Sequence, residues 1–253
     1  MLMPTQITRR GGLVSLAAAF AIPSEAAEVS ESFPTQPVDL IREAVTVAHG
    51  NFKRLKELLD ARPSLSRAAY DWGFGDWEDC LGAASHVGNR EIAEYLISKG
   101  ARPTLYSAAM LGQLDVVKAF VAAQPGCQRI PGPHSISLLN HAIRGGTAAE
   151  PVRKFLETLG DAGSPVAAPI TEAEMTALAG TYSFGAAARD TIEVTVAKGQ
   201  LMFARKGSDA RGLIHVGGLA FHPAGANAVR IKFADKGLTV HDPEPILAAK
   251  KIA

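Results

Sequence analysis

Two stretches of this chain carry the same pattern almost position for position. Leu81–Ala101 reads LGAASHVGNREIAEYLISKGA, and Leu105–Ala123 reads LYSAAMLGQLDVVKAFVAA. Each places paired alanines ahead of a glycine, and then an apolar run with the spacing of one helix face. A unit of this size cannot bury its apolar face alone and needs a neighbour of the same kind. The duplication therefore predicts helical pairs stacked side by side. Small alanines on the first helix permit close approach, and glycine ends that helix in a left-handed cap.

Weaker copies flank the pair. Ala44, Ala48, Gly50 and Asn51 precede Leu55, Leu58 and Leu59. Further on, Leu138, Leu139, His141, Ala142 and Gly145 precede Val152, Phe155, Leu156 and Leu159. The glycine-to-glycine intervals are 38, 24 and 33 residues. The long first interval predicts an enlarged finger between units one and two. The short second one predicts a direct join.

These features resemble the ankyrin repeat, whose period is about 33 residues. Pro103-Thr104-Leu105-Tyr106 echoes that family's Thr-Pro-Leu-His start with the first two residues exchanged. The resemblance covers residues 38–162 and implies an α-solenoid that binds other proteins through its concave face and fingers. A different helical-pair solenoid or an ordinary bundle is the alternative.

The N-terminus reads as a processing signal. Thr8-Arg9-Arg10 precede the uncharged run LVSLAAAFAI, Pro23 ends it, and Ala26 marks a cleavage point. Thr8–Val14 (TRRGGLV) resembles a twin-arginine export signal, with Gly12 where that family prefers an aromatic residue. Ordinary secretion and an uncleaved anchor are the alternatives. The expected organisation is a signal peptide (1–26), a linker (27–37), the repeat domain (38–162), a second linker (163–170) and a β-domain (171–253). Export implies a bacterial periplasmic or secreted location and no stable membrane insertion after cleavage. It also implies an oxidising compartment, in which Cys80 and Cys127 are read as idle thiols, with a bridge between them as the alternative.

Beyond Gly163 the period changes to two. Thr191–Val196 places Ile192, Val194 and Val196 on one face. Ala228–Phe233 places Val229, Ile231 and Phe233 inward with Arg230 and Lys232 outward. Residues 200–203, 211–216 and 238–241 are also strand-like, and 171–178 predict a short helix. Short antiparallel strands with glycine turns predict a small barrel or half-barrel. The overall class is α+β. LAGTYSFG (Leu178–Gly185), GQLMF and LAFHP resemble the lipocalin-like β-domain that follows the catalytic region of β-lactamase-related serine hydrolases. The S-x-x-K nucleophile motif of those enzymes is not in the chain.

Charge excludes one class of function. With 26 basic and 25 acidic side chains the net charge is +1, which gives no footprint for nucleic acid. No zinc-protease pair, nucleophile elbow or phosphate loop occurs. The sequence assigns no catalytic, cofactor-binding or metal-binding residue. His49, His86 and His141 recur near the end of the first helix in their units, and the repeat itself accounts for that recurrence. His215, His222 and His241 read as surface or turn residues. Asp76, Glu78 and Asp79 read as carboxylates complementing a helix N-terminus.

The candidate binding surface is the aromatic finger AYDWGFGDW, with Tyr70, Trp72, Phe74 and Trp77 as anchors. Arg129 and His134 in the proline-stiffened loop 128–135 add polar contacts. Packing of the finger as a lid over the first unit is the competing reading, with both tryptophans buried. The expected function is that of an exported, non-enzymatic module for an unidentified protein partner. The alternatives are a carrier of a small apolar ligand among Phe184, Phe203, Phe221 and Phe233, and an accessory chain of an envelope hydrolase.

Overall fold

The structure is a computed structural model that describes residues 31–253. The export-signal reading, residues 1–26, lies outside the described residues. Residues up to Pro37 and residues 38–253 form separate units. In the first, the described part makes a turn in which Thr35 N–H donates to the Ser32 carbonyl. The second is α+β. Among the described residues it contains nine helices, one two-stranded hairpin and a closed eight-stranded barrel.

The helices come in pairs: α1 (Val38–Ala48) with α2 (Phe52–Ala61), α3 (Cys80–Val87) with α4 (Arg90–Ser98), α5 (Leu105–Met110) with α6 (Leu114–Ala123), and α7 (Leu138–Arg144) with α8 (Glu150–Leu159). The first helices pack together, α1 against α3, α3 against α5, and α5 against α7, with α7 also touching α3. Their caps follow from residue type. Asn51 and Asn89 accept the backbone N–H groups of Arg54 and Ile92, whereas Gln113 at the equivalent place makes no cap bond. Gly88 and Gly112 have positive φ and also leave room for the fourth pair. A Cβ at Gly88 would collide with the Arg144 carbonyl, and one at Gly112 with the Ala148 carbonyl. Gly50 and Gly145 depart from the expected left-handed cap. Gly145 lies in the right-handed region, and its small size instead admits the Met110 carbonyl. Two apolar cores result. One joins Ala44, Leu55, Leu59, Leu81, Ile92 and Leu96, and the other Leu105, Val117, Leu138, Val152 and Leu156.

The enlarged finger is a hairpin of β1 (Ala69–Asp71) and β2 (Trp77–Asp79), pairing Tyr70 with Glu78 and Asp71 with Trp77. Between α4 and α5 the chain passes directly, without strands.

The helix α9 (Glu172–Leu178) leads into the barrel behind a Thr171–Glu174 capping box. The strands are β3 (Gly180–Ser183), β4 (Thr191–Ala197), β5 (Gln200–Arg205), β6 (Arg211–Gly217), β7 (Ala220–Pro223), β8 (Arg230–Ala234), β9 (Gly237–Asp242) and β10 (Glu244–Lys251). They form an antiparallel meander that β10 closes onto β3. Alternation turns Ile192, Val194, Leu201, Phe203, Phe221, Ile231, Phe233 and Val240 inward. Phe221 and Phe233 meet edge to face with centroids 5.6 Å apart, so side chains fill the interior. Phe184 sits at the mouth beside a hollow of about 160 Å³. His215, on β6, is buried, contrary to its reading as a surface or turn residue. Its ring nitrogens lie 3.0 Å from the Pro169 carbonyl and 2.7 Å from the Gly218 carbonyl. Both cysteines are free. Burial pushes the Cys80 thiol up to about 12, so it is inert near neutral pH.

Candidate functional site

The hairpin β1–β2 decides which side chains face inward. A strand alternates sides, so Trp77 and Glu78 must point in opposite directions. Trp77 is 62% exposed, and Glu78 is fully buried beneath the hairpin. The expectation that both tryptophans are buried therefore holds only for Trp72, which is half-buried. Its indole N–H donates to Glu78 Oε2 at 2.8 Å, and Tyr70 packs against it edge to face. Gly73 and Gly75 take positive φ in the turn, as does Phe74 between them. This turn sets Phe74 against the barrel core, 6.1 Å from the Phe203 ring. Phe74, read as an anchor for a partner, is thus an internal contact.

Three histidines converge on Glu78 from separate segments. His49 follows α1, His86 lies in the last turn of α3, and His134 sits in the loop before α7. His86 Nδ1 is 3.1 Å from Glu78 Oε1, His49 Nε2 is 3.7 Å from the same oxygen, and His134 Nε2 is 3.4 Å from Oε2. Glu78 Oε1 and His86 Nδ1 nevertheless have no aligned hydrogen-bond partner. Their separation is that of an ion contact without the geometry of a hydrogen bond. His134 and Ser135 both lie at positive φ, unusual for residues with side chains and common where a loop is held by its function.

Asp76 forms a second layer around the site. It is 2% exposed and accepts the His134 backbone N–H at 2.9 Å and its Nδ1–H at 2.7 Å. It also accepts Arg211, which reaches out of β6 and donates to the Trp72 carbonyl at 2.6 Å as well. Gly225 of the barrel leaves no room for a Cβ beside the Asp76 carboxylate. Ser135 Oγ donates to Asn227 and accepts the Gly225 N–H. The barrel is thereby fastened to the hairpin and to the His134 loop.

Burial alone would raise the Glu78 carboxyl, but the imidazoles of His134 and His86 beside it outweigh burial and hold the group down to about 2. Burial would likewise lower His134, and its bonds to Asp76 and Glu78 instead raise it to about 9. Asp76 is lowered in the same way, with burial opposed by His134 and Arg211. His141, which shares the sequence pattern of His49 and His86, stands apart. It is fully buried, its Nδ1 donates to the Ser137 carbonyl, and burial drives it down to about 4.

Of the six residues read from sequence, Tyr70, Trp72 and His134 meet around Glu78, with Trp72 and His134 centroids 6.2 Å apart. Phe74 belongs to the barrel, Trp77 faces solvent, and Arg129 pairs with Asp161 at 3.4 Å. Asp79 is a helix N-cap, as expected, accepting the Gly82 N–H. Asp76 and Glu78 depart from that reading and turn to the histidines. The signal that could have found them is the two-residue alternation through Trp77-Glu78 together with the histidine recurring at the ends of first helices. No protein-family model, curated protein or solved structure matches the chain.

Proposed function

We propose that the chain is an exported, non-enzymatic interaction protein built on ankyrin-like helical pairs, with the barrel as a brace on its enlarged finger. One observation carries this reading. Helix α6 buries only Val117 fully, while Val116 and Phe120 are 44% and 47% exposed, and Ala119 and Ala123 are exposed beside them. These four positions fall on one helix face, so an apolar stripe runs along the outside of the third pair. A stripe of this kind suits the apolar face of a protein partner. Trp77, also exposed, supplies a further aromatic contact on the finger.

A photo-crosslinking amino acid placed at position 119 should yield a discrete, saturable adduct with one protein. The same probe at Thr195, exposed on the barrel, should not. Phe120→Asp should abolish the adduct while leaving helical circular dichroism unchanged. Equal labelling from both positions, or an adduct that survives Phe120→Asp, defeats the reading.

A further inference from the structure

Glu78 and its three histidines present a chemical problem that hydrogen bonding within the protein leaves unsolved. His49 Nδ1 lies 3.1 Å from the carbonyl oxygens of Val45 and Thr46, which can only accept. That nitrogen therefore carries the hydrogen, and Nε2 turns a lone pair toward the carboxylate. In His134 the Nδ1–H is taken by Asp76, so Nε2 is the nitrogen that faces Glu78. Trp72 holds Glu78 Oε2. The remaining oxygen, Oε1, is buried without an aligned donor, as is His86 Nδ1 beside it. A proton shared by His134 answers one of these contacts. It does not serve Oε1, His49 Nε2 and His86 Nδ1.

We infer that His49 Nε2, Glu78 Oε1, His86 Nδ1 and His134 Nε2 form a four-coordinate site for a first-row divalent transition ion, Zn²⁺ fitting best. The four donor groups lie within 4.8 Å of one another. Tetrahedral zinc with bonds of about 2.0–2.1 Å sets its ligands about 3.3 Å apart. The two contacts to Oε1, 3.1 and 3.7 Å, already bracket that spacing, and His134 Nε2 stands 3.4 Å from the other carboxylate oxygen. The remaining separations, at most 4.8 Å, shorten when an ion draws the four groups together. Three imidazoles and one carboxylate select zinc and its neighbours over Mg²⁺ and Ca²⁺, which prefer all-oxygen shells. The Asp76–His134 bond is the carboxylate–histidine arrangement that orients a metal-binding imidazole, and the Val45 carbonyl does the same for His49. Four protein ligands fill a tetrahedron, so the ion is structural. It ties α1, α3, the finger and the His134 loop at one point, and through Asp76 and Arg211 it reaches the barrel.

The test uses the full chain, stripped with a chelator and dialysed. Added ZnCl₂ should bind at one equivalent by elemental analysis and raise the melting temperature. Added CoCl₂ should give the intense visible bands of tetrahedral cobalt. His49→Gln and His134→Gln should each weaken zinc binding by at least about 100-fold, and Asp76→Asn by about 10–100-fold. His222→Gln, in the barrel, should change nothing. The inference is overturned by a melting temperature indifferent to zinc, by stoichiometric zinc that survives both ligand substitutions, or by equal binding of Mg²⁺. The cobalt spectrum of the unmutated chain decides the matter if a variant fails to fold, since only weak octahedral bands would also overturn it.

Discussion

The two halves of residues 38–253 bury different kinds of side chain. The barrel closes around phenylalanine, isoleucine, leucine and valine, and, tyrosine aside, His215 is its one buried ionisable side chain among the described residues, its ring set between the Pro169 and Gly218 carbonyls. The helical half and its finger bury Asp76, Glu78, His86 and His141 within the same few turns. Ionisable groups are costly to bury, so a fold that only needed to hold its shape would have chosen the barrel's solution throughout. The contrast places these buried ionisable groups in the helical half, with the barrel as the apolar body against which they are held.

Three measurements sharpen or break this contrast. The largest effect is expected in the barrel, where Phe221→Ala should cost about 3–5 kcal/mol by urea denaturation. A loss below about 1 kcal/mol would mean that the interior is not packed as described. Next comes acid sensitivity in the helical half. His141 is depressed to about 4 in the folded chain, against about 6.5 unfolded, so the unfolded state binds the extra proton between those values. Its contribution is complete above pH 6.5 and is lost on acidification toward pH 4, on the order of 3 kcal/mol in all. Chelator-treated His141→Asn should therefore show a flatter fall in stability than the unmutated chain across that window, and parallel curves would refute the assignment. The smallest comparison lies within the finger. Trp72→Phe removes the donor to a buried carboxylate and should cost about 1.5–3 kcal/mol. Trp77→Ala, on the solvent side of the same strand pair, should stay within about 0.5 kcal/mol. Equal losses would show that the alternation has been misplaced.

The helices and most barrel strands were legible because their signals are local. The 3.6-residue spacing of Leu55, Leu58 and Leu59 and the two-residue spacing of Ile192 and Val194 state their own geometry. Strand β10 was not read, since Pro245 and an alanine-rich stretch carry little strand propensity. It forms because β9 and β3 offer it edges, and that is a property of closure. The site was legible only in parts. His134 was singled out for its stiff loop and Trp72 for its ring. Their meeting with Glu78 depends on a contact between Asp76 and His134, 58 residues apart, that no window along the chain contains. The histidines recurring at the ends of first helices are local signals, but the carboxylate they share is not. His49 and His86 stand alike near the ends of α1 and α3, and the hairpin between the two helical pairs brings one carboxylate to both.

Phe74 and Glu78 stand four positions apart on one hairpin, the first gripped by the barrel and the second by three imidazoles. So short a span of chain has no slack. Any tilt of the barrel is delivered as a tug on the carboxylate, and any tightening around the carboxylate reels the barrel in. The finger thus works as a tie-rod between two bodies, and its length sets how far either can drift before the other feels it.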